Sequence, residues 1–230
     1  VPSHLSDDTK LLSLHPGGLA LTLESAAKAG FRAGDRILDI GCGTGASLRA
    51  ITEQYGIIPY GLEPEDAILT QIGQHSSGIH LSKGNAVDLP YPDCFFDGIL
   101  MECVLTLLDD PQRALDETKR VLKNGGVLVL STLAASLPED SPPCTELVSG
   151  GLACPQRLTD YLEGIGFVPE YRENRRDVLI QYMAESILEY GGLNERIAYE
   201  VKQSGTSVLN CDYQYDPKNT TYLVLILRLS

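Results

Sequence analysis

Short apolar runs alternate with helix-patterned stretches five times within about a hundred residues of this 230-residue chain. The apolar runs fall at 36–40, 57–62, 79–82, 96–101 and 127–131. Helical patterns fall at 20–29, 46–55, 65–74 and 111–122. Runs that are apolar throughout, rather than alternating, are expected when both faces of a sheet are covered. The pattern therefore predicts parallel strands joined by right-handed crossovers, with helices on both faces. Helices at 156–165, 178–190 and 193–203, a strand at 166–171 and a final strand at 222–229 are expected to complete the domain. Residues 137–155, rich in Pro, Ser, Gly and acid, read as a long loop or lid, and 205–218 as a loop or hairpin arm. No domain boundary is evident, and 230 residues suit one sizeable core.

The first apolar run leads into Asp39-Ile40-Gly41-Cys42-Gly43-Thr44-Gly45 and then directly into a helix. Glycines there let the backbone approach a ligand that any side chain would push away. The helix start adds free N–H groups and a positive dipole end. Glu63, closing the second strand in Gly61-Leu62-Glu63-Pro64, stands where a carboxylate accepts hydrogen bonds from both hydroxyls of a ribose.

These residues together resemble the class I S-adenosylmethionine-dependent methyltransferases. The 39–45 stretch is similar to their first motif and 61–64 to their second. Residues 84–100, GNAVDLPYPDCFFDGIL, look like the adenine-binding segment running into the fourth strand. ALDETKRVLKNGGVLVLST looks like the following helix and fifth strand of the small-molecule branch. The close resemblance covers 31–133. It implies a Rossmann-like, doubly wound, seven-stranded and mostly parallel α/β sheet of order 3-2-1-4-5-7-6, with the last strand antiparallel. It also implies one domain over 1–230: an N-terminal cap helix within 1–30, the cofactor-binding core at 31–133, and a lid loop with the C-terminal half of the sheet at 134–230.

By the same resemblance, S-adenosylmethionine is the cofactor. Asp39 would orient its methionine end, and Gly41 and Gly43 would admit it, with Cys42 the small residue between them. Glu63, with Pro64 beside it, would hold the ribose. Asn85 would sit by the adenine amino group and Ala86 would offer its N–H to the ring. Glu102 would lie near the methionine portion or the acceptor. A nicotinamide-dependent dehydrogenase, whose third glycine would fall at position 46 where this chain has Ala, and a non-catalytic adenosine-binding module remain as alternatives.

Methyl transfer needs an aligned acceptor, and for a hydroxyl or amine a group that takes its proton. Glu102 and Cys103 leave the fourth strand at the expected acceptor edge, and His15 precedes a Gly17-Gly18 pair that opens a helix. These three are the candidate catalytic residues. Cys144 and Cys154 in the lid-like stretch would join Cys103 as three thiols near the mouth. Such soft ligands suit a thiol or arsenic-like metalloid acceptor, with an oxygen, nitrogen or carbon acceptor as the alternative. No metal-ligand spacing is present. The first residues lack a basic stretch followed by an apolar core, so the cysteines are expected as reduced thiols in a cytoplasmic protein. A net charge of −13 argues against nucleic acid and anionic membranes as partners. A small-molecule acceptor is expected, with the chain a monomer or homodimer.

Overall fold

The computed structural model describes residues 15–66, 69–70, 78–136, 144–192, 195–196 and 218–230. Most of the expected helices at 193–203 and 65–74 and of the arm at 205–218, with Cys211, lie outside the described residues.

The described elements run α1 (Gly18–Ala29), β1 (Arg36–Ile40), α2 (Ala46–Tyr55), β2 (Ile58–Glu63), β3 (His80–Lys83), β4 (Phe96–Glu102), a one-turn 3-10 helix (Leu105–Leu107), α3 (Pro111–Val121), β5 (Leu122–Ala135), β6 (Val148–Ser149), β7 (Leu152–Ala153), α4 (Pro155–Gly164), β8 (Phe167–Asn174), α5 (Arg176–Tyr190) and β9 (Thr220–Leu229). Parallel pairing gives β3-β2-β1-β4-β5. Antiparallel β9 follows beside β5, and β8 beside β9. These seven strands stand in the expected order, with β9 entering last between β5 and β8.

The sheet separates two packed layers, and strand alternation decides which residue goes where. On β5 and β9, Val127, Val129, Tyr222, Val224 and Ile226 face α1, α2 and α5, where Leu21, Ala26, Leu48, Ile51 and Leu179 meet them. Leu128, Leu130, Leu223, Leu225 and Leu227 face the other way, toward Ala114 and Leu115 of α3 and Leu158 and Leu162 of α4. α3 is started by Asp110, whose carboxylate accepts the Arg113 N–H, with Pro111 at the first helical position.

Two segments differ from the sequence expectation. β5 begins at Leu122 and takes in the KNGG turn expected to precede it. Leu122 already pairs with Phe96, and the register jumps before Val127 meets Gly98. The jump fits the glycines: Gly125 is left-handed (φ 77°), and a Cβ on Gly126 would come within 2.8 Å of the Leu122 side chain and the Lys123 carbonyl. The described part of the expected lid also carries regular structure. Gly150 and Gly151 both have positive φ, as a two-residue hairpin turn requires. The β6–β7 hairpin they form attaches to β5 through Ala153 and Ala134, which brings the sheet to nine strands. No described helix is long and apolar enough to cross a membrane.

Candidate active site

The parallel strands β1, β2 and β4 end at one edge of the sheet, and that edge carries most of the residues singled out by the sequence. After β1 the chain alternates. Gly41, Gly43 and Gly45 have φ of 72°, 51° and 72°, a region closed to most side chains, which is why glycine recurs at every second position. The Gly41 and Cys42 N–H groups both donate to the Leu62 carbonyl, at 2.8 and 3.0 Å, fastening the turn to the end of β2. A Cβ on Gly41 would come within 2.6 Å of Val104, whereas one on Gly43 would stand in open space. Gly43 thus lines free volume. Cys42 points into the core, with its sulfur 2.8 Å from where a Cβ on Gly61 would stand, and burial pushes its thiol well up. It fills space against β2.

Three carboxylates converge on this edge. Glu63 is buried and accepts the Gly43 N–H (3.1 Å) and the Glu65 N–H (3.3 Å). Pro64 links these two glutamates. Desolvation holds the Glu63 carboxyl above its usual range, offset in part by those two donors. Asp39 is buried at the end of β1, and desolvation, then Glu102 and Glu63, push its carboxyl well up. Three acidic side chains thus crowd one edge with free volume beside Gly43, an arrangement suited to a cationic, hydroxyl-bearing ligand. The adenine-side candidates sit beyond β3. The Asn85 side-chain oxygen accepts the Val87 N–H at 3.2 Å and keeps a second lone pair. Ala86 is buried.

Glu102 ends β4 in a cluster that sequence reading did not foresee. Thr22 Oγ1 donates to its carboxylate (2.9 Å to Oε1, 3.1 Å to Oε2), and Ser47 Oγ donates to Oε2 at 2.8 Å. His15 Nε2 lies 3.5 Å from the same Oε2 and 3.2 Å from Thr22 Oγ1. His15 Nδ1 is 3.1 Å from the Pro16 carbonyl. A carbonyl only accepts, so this nitrogen donates and Nε2 is left facing the cluster. His15 and Glu102, far apart in sequence, are therefore brought together. Thr22 reads in the sequence as an ordinary helix residue and Ser47 as an ordinary first-turn residue, so neither signalled this contact.

Cys103 follows with φ 58°, unusual for a residue with a side chain. That turn sends its side chain to the α1/α5 layer, with Leu21, Leu179 and Tyr222. Its sulfur lies 3.5 Å from the Tyr222 hydroxyl, which donates to Ser131 Oγ at 2.9 Å. Burial, then Cys103, push the Tyr222 phenol well up.

The expected group of three thiols is not formed. Cys144 and Cys154 are joined by a disulfide. Cys154 lies between Ala153 and Leu158, both packed in the layer on the opposite face of the sheet from Cys103. The expectation of reduced thiols is likewise corrected for these two residues. Among the described residues no His, Cys, Asp and Glu cluster could hold a metal ion.

A family model described as "Methyltransferase domain" matches residues 38–130, the span that carries the glycine turn, Glu63, Asn85 and Glu102. That span is a methyltransferase domain, similar to that of the class I S-adenosylmethionine-dependent methyltransferases. The chain is similar to the O-methyltransferase cnsE of Penicillium expansum, 27% identical over 83% of this chain and 74% of that one. It is also similar to the demethylmenaquinone methyltransferase of Symbiobacterium thermophilum, 35% identical over 50% of this chain and 48% of that one. Its fold matches geranyl diphosphate C-methyltransferase of Streptomyces coelicolor, solved with Mg2+, geranyl diphosphate and S-adenosyl-L-homocysteine. That match has a TM-score of 0.69, 16% identity, and covers 92% of this chain and 77% of the other. S-adenosylmethionine is accordingly the methyltransferase's cofactor.

Proposed function

We propose that this methyltransferase transfers a methyl group to a hydroxyl of a small molecule, with residues 1–230 working as one domain. The observation that carries the reading is the pairing of His15 with Glu102 at the end of β4, on the same edge as the glycine turn and Glu63. S-adenosylmethionine supplies an electrophilic methyl on a sulfonium. The chain's own residues bind and orient it. Glu63 takes the ribose hydroxyls, in a spot where it now accepts the Gly43 N–H. Asp39 fixes the methionine end, with Gly41, Cys42 and Gly43 shaping the turn around it. Pro64 sets the exit from β2, and Asn85 with Ala86 meets the adenine ring.

The acceptor oxygen attacks in line: a C–O bond forms, the C–S bond breaks, and S-adenosylhomocysteine leaves. The hydroxyl proton passes to His15 Nε2, the one imidazole nitrogen not committed to the Pro16 carbonyl. Glu102 beside it balances the imidazolium charge. The name of the O-methyltransferase relative supports an oxygen acceptor. A thiol or metalloid acceptor loses its main support, because Cys144 and Cys154 are bonded to each other and Cys103 faces the other layer. The acidic chain, at −13, disfavours nucleic acid as acceptor.

Methyl-labelled S-adenosylmethionine offered with phenols, alcohols, amines, small thiols and arsenite tests this. Label on a phenol or alcohol oxygen, lost in His15→Ala, supports the reading. Label on arsenite or a thiol restores the soft-acceptor alternative, and label on none of them with cofactor bound favours a binding module.

A further inference from the structure

Glu117 and Arg120 lie one turn apart on α3, on the face that covers the segment between β3 and β4. Arg120 Nε donates to Glu117 Oε1 at 2.8 Å and Nη2 to Oε2 at 2.7 Å, a two-pronged pair. Glu117 is buried, and Arg120 holds its carboxyl below the usual range.

The pair spends its remaining hydrogen bonds on one stretch of chain, residues 89–93. Glu117 Oε2 also accepts the Leu89 N–H at 2.8 Å, and Arg120 Nη2 donates to the Leu89 carbonyl at 2.9 Å. Arg120 Nη1 donates to the Tyr91 carbonyl and to the Asp93 carboxylate, both at 2.8 Å. Arg113 Nε adds a bond to the Val87 carbonyl at 3.2 Å. Residues 87, 89, 91 and 93 are thus each held by α3. The stretch so held begins at Asn85, whose side-chain oxygen accepts from Val87 and whose carbonyl accepts from Asp88. Ala86 and Leu89 are buried in the same apolar cluster.

Neither Glu117 nor Arg120 bonds to Asp39, Glu63 or Glu102. We propose that they are positioning residues for the adenine end of the cofactor, holding 85–93 in the shape that presents the Asn85 oxygen and the Ala86 N–H to the ring. This rests on the roles given to Asn85 and Ala86 above.

The test is calorimetric titration of the full chain with S-adenosylhomocysteine and with S-inosylhomocysteine, in which an oxygen replaces the adenine amino group. Wild type is compared with Glu117→Gln, Arg120→Lys and Arg120→Ala. Wild type should prefer the adenosyl ligand. The folded variants should bind it about tenfold more weakly, the size expected when a buried polar pair loses a partner. The inosyl ligand should weaken far less, so that the preference shrinks, while kcat at saturating cofactor holds. If Arg120→Ala does not fold, the two milder variants decide. Thermal unfolding that shifts while the preference stays at the wild-type value makes the pair merely structural and overturns the inference alone. Wild type that fails to bind S-adenosylhomocysteine overturns the functional reading and this inference with it.

Discussion

Thr22 Oγ1 on α1 sits 2.9 Å from Glu102 Oε1 at the end of β4, eighty positions along the chain. Through this bond, and through Ser47 on α2, one carboxylate ties the N-terminal helix and the glycine-turn helix to the sheet edge where chemistry is proposed. The carboxylate is buried and accepts from two hydroxyls, with His15 Nε2 3.5 Å from Oε2. Losing one donor leaves charge exposed to an apolar interior.

Thr22→Val keeps the shape and removes the donor. It is expected to lower stability by about 1–3 kcal/mol, the cost of an unsatisfied buried polar group. Denaturant unfolding checks this, and Thr22→Ser, which keeps the hydroxyl, should recover most of the loss.

Glu63→Ala is expected to weaken S-adenosylhomocysteine binding by about 1–3 kcal/mol through the loss of charge-assisted hydrogen bonds. Calorimetric titration reads this directly. Unchanged affinity would remove Glu63 from the ribose site.

Asp39 carries a cost in the folded protein, because burial first, then Glu102 and Glu63, raise its carboxyl well above the ordinary 3.8. A raised folded pKa means that the folded chain holds its proton more tightly than the unfolded chain does. The associated stability is present below pH 3.8 and is lost as pH rises through the folded value. Asp39→Asn removes that dependence. The variant should be more stable than wild type near pH 7 by about 0.5–2 kcal/mol, read by denaturant unfolding. The gap should close as the pH falls toward 4, and the variant should bind cofactor less tightly. A constant gap at all pH values would mean that Asp39 titrates normally.

The Cys144–Cys154 disulfide closes a short loop around the β6–β7 hairpin. Protein kept from reductant should yield a crosslinked peptide pair from these two positions, while native Cys94, exposed, reacts with iodoacetamide. Reduction, or Cys154→Ser, should cost about 2–3 kcal/mol by the loop-entropy argument. Ready alkylation of Cys144 in the unreduced native protein would contradict the pairing.

Much of this was legible in the sequence for a physical reason. Strands buried on both faces are apolar throughout, and three left-handed backbone positions in alternation admit little but glycine, so the runs at 36–40 and 96–101 and the Gly41-Gly43-Gly45 turn show plainly. Glu63 showed because its place follows from the strand that ends there. What stayed hidden depends on distant partners. Thr22 and Ser47 meet Glu102 only once α1 and α2 pack on the same face. Cys103 and Cys154 are set in opposite layers by a left-handed turn at one and by a hairpin strand before the other, neither of which spacing reveals. The hairpin itself hid in a Gly- and Pro-rich stretch that reads as loop, although its Gly150-Gly151 turn was a visible hairpin signal.

The most direct measurement is competition of S-adenosylhomocysteine and a nicotinamide dinucleotide for the wild-type chain, followed by calorimetry. Saturable binding of S-adenosylhomocysteine, weakened in Glu63→Ala, with no displacement by the dinucleotide, is the expected result. Tight binding of the dinucleotide with none of S-adenosylhomocysteine would contradict it.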